Sequence, residues 1–152
     1  MRRKEKEVLD RDEIESIIRK ADVCRLGFSD NDIPYIVPLN FGYKENCLYF
    51  HTAKAGKKID MIKTNNRVCF ELDIDHEVVR AENPCDWNMK FQSVIGYGEA
   101  FLLEDIDDKR LALDIIMEHY SGRPDGYKEK LVDHLAVIKV QIESMTGKKS
   151  GY

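Results

Sequence analysis

The 152-residue chain is 43% hydrophobic and 34% charged, the profile of one soluble globular domain with a substantial core rather than of a disordered segment. Its net charge of −4 argues against general nucleic-acid binding. No apolar run approaches the ~20 residues needed to cross a bilayer, and the charged start (Arg2 to Glu7) lacks the apolar centre of an export signal, so a cytoplasmic location without a membrane partner is expected.

A single domain over residues 1–152 is expected, with residues 1–9 as a charged N-terminal arm. Asp10 offers an N-cap, with Glu13 three residues on, ahead of Ile14, Ile17 and Ile18 on one face; this predicts an amphipathic helix over Arg11 to Lys20. Val23 to Phe28 reads as a strand. The polar turn Ser29-Asp30-Asn31-Asp32 leads to a longer strand, Ile33 to Tyr43. There Tyr35, Val37, Leu39, Phe41 and Tyr43 share one face, and Ile36, Pro38, Asn40 and Gly42 the other. Pro38 cannot donate to a ladder, so the strand has an edge or a bulge at that point. The interrupted face suits either close approach by a flat ligand or a plain edge strand.

Lys44-Glu45-Asn46 turns the chain back into Cys47 to Thr52 as an antiparallel neighbour. A small-residue loop follows, and a helix begins near Lys57 with Ile59, Ile62 and Met61 on its buried side. Its start is unusual. A helix N-terminus carries partial positive charge and unsatisfied N–H groups, which favour acidic residues, yet Lys57 and Lys58 stand there with Lys54 just before. Either the lysines are simply solvated, or an anion such as a phosphate occupies the site.

Asn65 and Asn66 end that helix, and Val68 to Leu72 is the next strand. Asp73 to Lys90 reads as a long irregular stretch holding Pro84, Cys85 and Trp87, open either as a ligand cover, a docking surface, or an acidic loop pinned by one tryptophan. Ser93 to Leu103 is a long strand whose Gly96 and Gly98 mark a bulge, a barrel bend or a closely approaching ligand. Asp105 caps a helix running to about Tyr120, stopped by Gly122 and Pro124. A charged segment with one further helical turn precedes a last strand, Leu135 to Met145.

The four cysteines (Cys24, Cys47, Cys69, Cys85) show no metal-ligand spacing, so reduced thiols and no metal site are expected, with Cys24, Cys47 and Cys69 in apolar strand-like runs that suit small buried hydrophobes. Tight hairpins, in-strand glycines and few parallel crossover signals predict a mainly β, α+β fold: about six strands in a mostly antiparallel small barrel with peripheral helices.

Five stretches, in this order, carry a family resemblance: Pro34-Tyr35-Ile36-Val37-Pro38-Leu39-Asn40-Phe41-Gly42-Tyr43; Leu48-Tyr49-Phe50-His51-Thr52-Ala53 with Gly56-Lys57-Lys58; Asn66-Arg67-Val68-Cys69-Phe70; Ser93-Val94-Ile95-Gly96-Tyr97-Gly98-Glu99-Ala100; and Ile142-Glu143-Ser144-Met145-Thr146-Gly147-Lys148. Together they cover nearly the whole chain. It resembles the pyridoxamine 5′-phosphate oxidase-like split β-barrel flavoproteins, in particular their nitroimidazole-resistance (Nim-type) branch.

The resemblance implies a six-stranded antiparallel split barrel that binds FMN as a homodimer, with the cofactor at the subunit interface, and acts as an oxidoreductase on a small-molecule substrate. It implies that Val37, Pro38, Leu39 and Asn40 lie along the isoalloxazine, that His51 and Thr52 continue that wall, and that Gly56, Lys57 and Lys58 hold the phosphate. Ser93 falls where the oxidases carry a glutamine that approaches the flavin ring. His51, near the flavin in the Nim-type branch, is the candidate catalytic residue as proton donor or substrate contact, or else a cofactor contact alone. The chain departs from the oxidases where Pro38 and Asn40 replace an arginine-rich strand, so the implied activity is a reduction or oxidation other than theirs. A non-catalytic flavin- or haem-binding protein of the same fold is the alternative, with His51, His76 and His119 as conceivable axial ligands.

Overall fold

In the computed structural model, which describes residues 4–123 and 127–152, two tight turns set the first hairpins. Asn31 and Asp32 take φ of 46° and 64°, and Glu45 and Asn46 take 49° and 61°. Paired left-handed residues match the twist of a two-residue hairpin, and Asn and Asp tolerate that region best among residues with a Cβ. The first turn joins β2 (Cys24–Asp30) to β3 (Ile33–Leu39), and the second joins β4 (Gly42–Lys44) to β5 (Cys47–Ala53). The expected helix stop at Pro124 and the arm's first residues lie outside the described residues.

The remaining strands are β1 (Glu7–Val8), β6 (Arg67–Val79), β7 (Asn88–Leu103) and β8 (Leu135–Ser150). One eight-stranded sheet runs β3-β2-β6-β7-β8-β5-β4, with β1 on β8. Every pairing is antiparallel. β3 and β4 stand at the two ends of that order, yet only Asn40 and Phe41 separate them in sequence. The sheet must therefore curl until its edges approach, which makes the expected barrel, and the barrel is not closed by a ladder.

Inside it sits the main core, centred on Phe41, Phe50, Phe70, Leu26, Leu48 and Leu72, all 0–1% exposed. The α1 helix (Arg11–Lys20) covers one end. Asp10 caps it as expected, accepting from the backbone N–H of Asp12 and Glu13, and Ile14, Ile17 and Ile18 face inward. The α2 helix (Lys57–Thr64) covers the opposite end with Ile59, Met61 and Ile62. The α3 helix (Ile106–His119), capped by Asp105, and the short α4 (Glu129–Val132) lie outside the barrel, where Leu113, Ile116 and Val132 form a second cluster.

The strands differ from the expectations, and the last one, β8, runs on past the expected Met145 to Ser150. The long strand Ile33 to Tyr43 is divided at Asn40–Phe41, where the chain crosses between the sheet's edges, so β4 counts separately; β1 adds another short strand, through a charged pairing (Glu7 opposite Lys148) that leaves no periodicity to read. The stretch Asp73 to Lys90 is not an irregular loop. β6 and β7 continue into it as a two-stranded ribbon past a register shift between Ile74 and Glu77, turning at Pro84–Asp86. Residues from Asp75 onward in β6 are mostly exposed, so no buried face imprinted an alternating pattern. Trp87, half exposed, is tied down by Nε1 donating to the Ala81 carbonyl at 2.8 Å.

The in-strand glycines mark packing and a bulge. A side chain at Gly96 would enter the Phe70 ring, and Gly98 lies at the shift in the β7–β8 register against the Gln141 backbone. The thiols of Cys24 and Cys47 are buried, whereas Cys69 is exposed, a correction to its expected burial: it points to the outer face while its neighbours Val68 and Phe70 point in. No helix among the described residues is long and apolar enough to cross a membrane.

Candidate functional site

Two strand edges are left without partners. Among the described residues β3 pairs only with β2. Among the described residues β4 covers β5 only from Cys47 to Tyr49, so Phe50 to Ala53 pair with β8 on one side and with no strand on the other. These edges belong to strands joined through Asn40–Phe41 and leave a gap in the pairing order between β3 and the end of β5, a candidate cleft with that crossover as its blind end and the loop leading into α2 at its mouth. Unpaired backbone N–H and C=O groups along a strand edge are directional donors and acceptors waiting for a partner.

The blind end is fixed by Tyr120 at the C-terminus of α3. Its hydroxyl accepts from the Phe41 N–H at 3.1 Å and donates to the Asp22 carbonyl at 2.7 Å. Burial pushes the Tyr120 phenol above its ordinary pKa, opposed by the Phe41 amide and by Asn40. His119 Nε2 lies 2.8 Å from the Ala21 carbonyl, and its ring packs 4.3 Å from Phe41.

At the open end, α2 begins at Gly56, which has φ 124° and open space around its Cβ position; the backbone angle rather than crowding calls for glycine there. No side chain caps this helix. The Gly56 carbonyl accepts from Ile59 and Asp60 at 2.9 and 3.2 Å, and the N–H groups of Lys57 and Lys58 make no hydrogen bond among the described residues. Contrast α1 and α3, each capped by an aspartate. Lys57 Nζ lies 4.6 Å from the centre of the Tyr35 ring, which turns this ammonium toward β3.

Most of the expected site residues lie along these two strand edges and the start of α2. Val37 and Leu39 are half-buried toward the core, Pro38 and Asn40 are exposed, Thr52 is half-buried on β5, and Gly56, Lys57 and Lys58 stand at the mouth. Pro38 does lie on an edge strand, where its missing N–H costs nothing. Ser93 is not brought there. It lies on β7 between Asp73 and Lys148, on the side away from the core yet only 9% exposed, and β2 and β6 lie between it and β3, about 14 Å at three strand spacings.

His51 is exposed on the free edge of β5, opposite Val137 of β8. Its ring makes no hydrogen bond among the described residues and forms one wall of an apolar cavity of about 400 Å³, lined also by Leu113, Ile116, Met117 and Leu135, with Lys128 among its walls. Neighbouring Tyr49 has its phenol pushed up to about 12, chiefly by burial. His76 Nε2 is held by Asp73 at 2.5 Å, so of the three histidines considered as axial ligands only His51 has a wholly unengaged ring. Sequence reasoning missed Tyr120 and this cavity. The sequence places a helix there, but nothing local marks Leu113, Ile116 and Met117 of that helix as walls of the cavity that His51 also lines.

Around β3, β2, β6 and β7 the outer face of the barrel stays open to solvent. Ile36, Ile95, Tyr97 and Phe101 are 61%, 47%, 55% and 44% exposed on it. Arg25 crosses this face to bond Asp73 at 2.6 Å and Glu71 at 3.0 Å. Asp73 lies below the usual carboxylate range although burial pushes it upward, because Arg25 and His76 outweigh that cost. Glu71 is raised, first by burial and then by Asp73.

A curated relative, an uncharacterized protein of Rhizobium meliloti (strain 1021), is 32% identical over 65 residues, 43% of this chain and 42% of its own length, so the match spans less than half of that relative. Among solved structures, a candidate 5-nitroimidazole antibiotic resistance protein from Bacteroides thetaiotaomicron is 40% identical, with 93% of this chain and 85% of that chain covered at a TM-score of 0.84. The flavocytochrome Anf3 from Azotobacter vinelandii (20% identical, 100% and 72% covered, TM-score 0.84) and the FAD and heme binding protein from Mycobacterium smegmatis (15%, 97% and 74%, 0.83) share the fold. The sequence model of pyridoxamine 5′-phosphate oxidase matches residues 10–149, and the chain belongs to that family.

Proposed function

We propose that the chain binds FMN in the cleft between β3 and β5 and, as a cytoplasmic homodimer, catalyses oxidation or reduction of a small molecule, in the manner of a nitroreductase. The observation that carries this reading is the pair of unpaired strand edges converging on an uncapped helix start that bears Lys57 and Lys58. The fit is chemical at both ends. Free N–H groups, the helix dipole and two ammonium charges suit a phosphate dianion. The free edges of β3 and β5 suit the amide-like rim of an isoalloxazine, with Asn40 and Thr52 beside them.

FMN, when bound, supplies the electron-transfer chemistry. The chain's residues do the rest. Lys57 and Lys58 anchor the phosphate, while Val37 to Asn40 and Thr52 orient the ring through backbone groups. His51 stands at the border between the cleft and the apolar cavity, where a neutral or protonated imidazole can hold a proton at Nε2 or Nδ1 for a substrate seated against Leu113, Ile116 and Leu135. The exposed apolar residues of the outer face support a second copy as the occupant of that face. Ser93, on the same face, then meets the cofactor of the opposite protomer.

The test is FMN titration followed by flavin fluorescence. Wild-type protein is expected to quench and retain FMN, while Lys57→Glu with Lys58→Glu loses it with an unchanged circular dichroism spectrum. A wild-type protein that neither carries nor quenches FMN refutes the reading. His51→Gln is expected to keep FMN bound and lower turnover by about 10²-fold or more.

A non-catalytic haem-binding reading is favoured by one observation, the unengaged His51 ring on an apolar cavity. The absorbance spectrum of the purified protein separates the two, since haem gives a Soret band and flavin does not.

A further inference from the structure

We infer that the cavity beside His51 takes an uncharged, apolar two-ring aromatic carbonyl compound, its rings among the aliphatic walls and its oxygen on the imidazole. The inference rests on the flavin reading above and narrows its substrate to a class.

The cavity is built between three elements. β5 supplies His51, α3 supplies Leu113, Ile116 and Met117, and α4 supplies Leu131 and Val132. Leu113, Ile116 and Val132 are buried, whereas Met117 and Leu131 are 37% and 62% exposed and stand on its open side. Aliphatic surface left open in this way gains by being covered, in proportion to its area. The space is not slack that α3 could take up. A Cβ at Gly42 would lie 2.7 Å from the Ile115 backbone, so the helix already touches the sheet, and Tyr120 ties its end to Phe41. A ligand therefore meets a preformed site.

Charge and size select the class. Among the described residues no carboxylate lines the cavity, which leaves a cation without a partner. The Lys128 side chain is exposed and keeps its ammonium solvated, so it does not call for an anion. The volume of about 400 Å³ lies toward the lower end for small-molecule sites. At ~30 Å³ per water-sized atom it holds about thirteen heavy atoms, two fused rings with a short substituent. The electron-transfer chemistry proposed for the cleft requires a conjugated group. His51 borders both spaces, and its ring N–H donates to a carbonyl oxygen.

Equilibrium dialysis of FMN-loaded protein against 2-acetylnaphthalene, naphthalene, 2-naphthoate and 2-methyl-5-nitroimidazole ranks the classes. 2-Acetylnaphthalene is expected to bind most tightly. Tighter binding of 2-naphthoate makes the ligand an anion, and tighter binding of the nitroimidazole makes it a polar one-ring compound. Either result overturns the inference, as does the absence of 2-acetylnaphthalene binding at about 1 mM.

His51→Leu is expected to weaken 2-acetylnaphthalene about three- to tenfold and to leave naphthalene unchanged. Equal loss of both overturns the carbonyl contact. Met117→Trp adds bulk at an exposed wall position without entering the core, and is expected to weaken 2-acetylnaphthalene about tenfold with FMN content unchanged. Undiminished binding in that variant places the ligand elsewhere. Repeating the dialysis on the Lys57→Glu, Lys58→Glu protein separates this inference from the flavin reading. 2-Acetylnaphthalene bound there supports the cavity even where FMN is lost. FMN bound by the wild type without 2-acetylnaphthalene overturns the inference and leaves the flavin reading standing.

Discussion

The Tyr120 hydroxyl accepts a hydrogen bond from the buried Phe41 N–H at 3.1 Å, and this contact ties α3 to the two residues at which the barrel strand crosses from one sheet edge to the other. Phe41 is fully buried, so its amide has no water to turn to when the hydroxyl is removed. Tyr120→Phe is therefore expected to cost about 1–3 kcal/mol and to weaken FMN retention by loosening the blind end of the cleft. Chemical denaturation and flavin content measure the two effects. An unchanged unfolding midpoint removes Tyr120 from this role.

Gly96 separates a packing explanation from a ligand explanation for the in-strand glycines. An added methyl there would enter the Phe70 ring and crowd the Ser144 carbonyl, both inside the barrel wall. Gly96→Ala is expected to lower stability by about 1–3 kcal/mol through overpacking, seen as a lower denaturant midpoint with little change in slope. The folded fraction should carry the same FMN content as wild type. Loss of flavin without loss of stability would return Gly96 to the cofactor site.

How much of this was legible in the sequence depends on whether local chemistry or distant geometry set each feature. The caps at Asp10 and Asp105 and the faces of α1 and β3 were readable because a side chain and its partner lie within one turn or one strand. The anomaly at Lys57 and Lys58 was readable for the same reason. The cleft was not, since it exists only because β4 stops pairing β5 at Tyr49 and β3 has no second neighbour. Tyr120 was invisible because it meets residues 79 and 98 positions away. The ribbon of Asp75 to Val79 was misread because strands exposed to water carry no buried alternation, and Ser93 could be placed on a strand but not on a face relative to the cleft.

Arg25 links Asp73 and Glu71, and their opposite shifts give a pH signature. The pKa of Asp73 is depressed in the folded protein, so its contribution is complete above the unfolded value near 4 and is lost as pH falls through the lower folded value. Glu71 is raised by burial and by Asp73, so it carries a penalty above its folded value that acid relieves. Arg25→Met removes the partner of both carboxylates. It is expected to destabilise by on the order of 1 kcal/mol or less at neutral pH, since the cluster is partly exposed. The loss should shrink as pH falls below about 4 and on through the depressed folded value of Asp73, beneath which neither carboxylate is charged. Thermal melts of both proteins across that range give the comparison, and a pH-independent difference contradicts the assignment.

Cys69 reports on the proposed dimer directly. It lies exposed on the outer face, paired across β6 and β7 with Tyr97, on the same apolar surface as Ile36 and Ile95. Cys85 is exposed at the ribbon's turn, whereas Cys24 and Cys47 are buried and burial pushes the Cys24 thiol far above its ordinary pKa. At high dilution a thiol reagent is expected to modify Cys69 and Cys85 in the native protein, and Cys24 and Cys47 only on unfolding. As protein concentration rises through the dimer dissociation constant, Cys69 should slow while Cys85 keeps its rate, and mass mapping of the labelled peptides separates them. A protein that sediments as a dimer yet labels Cys69 at the dilute rate pairs through another face. The exposed residues Ile36, Ile95, Tyr97 and Phe101 would then need a different occupant, and Ser93 would lose its route to the opposite protomer's cofactor.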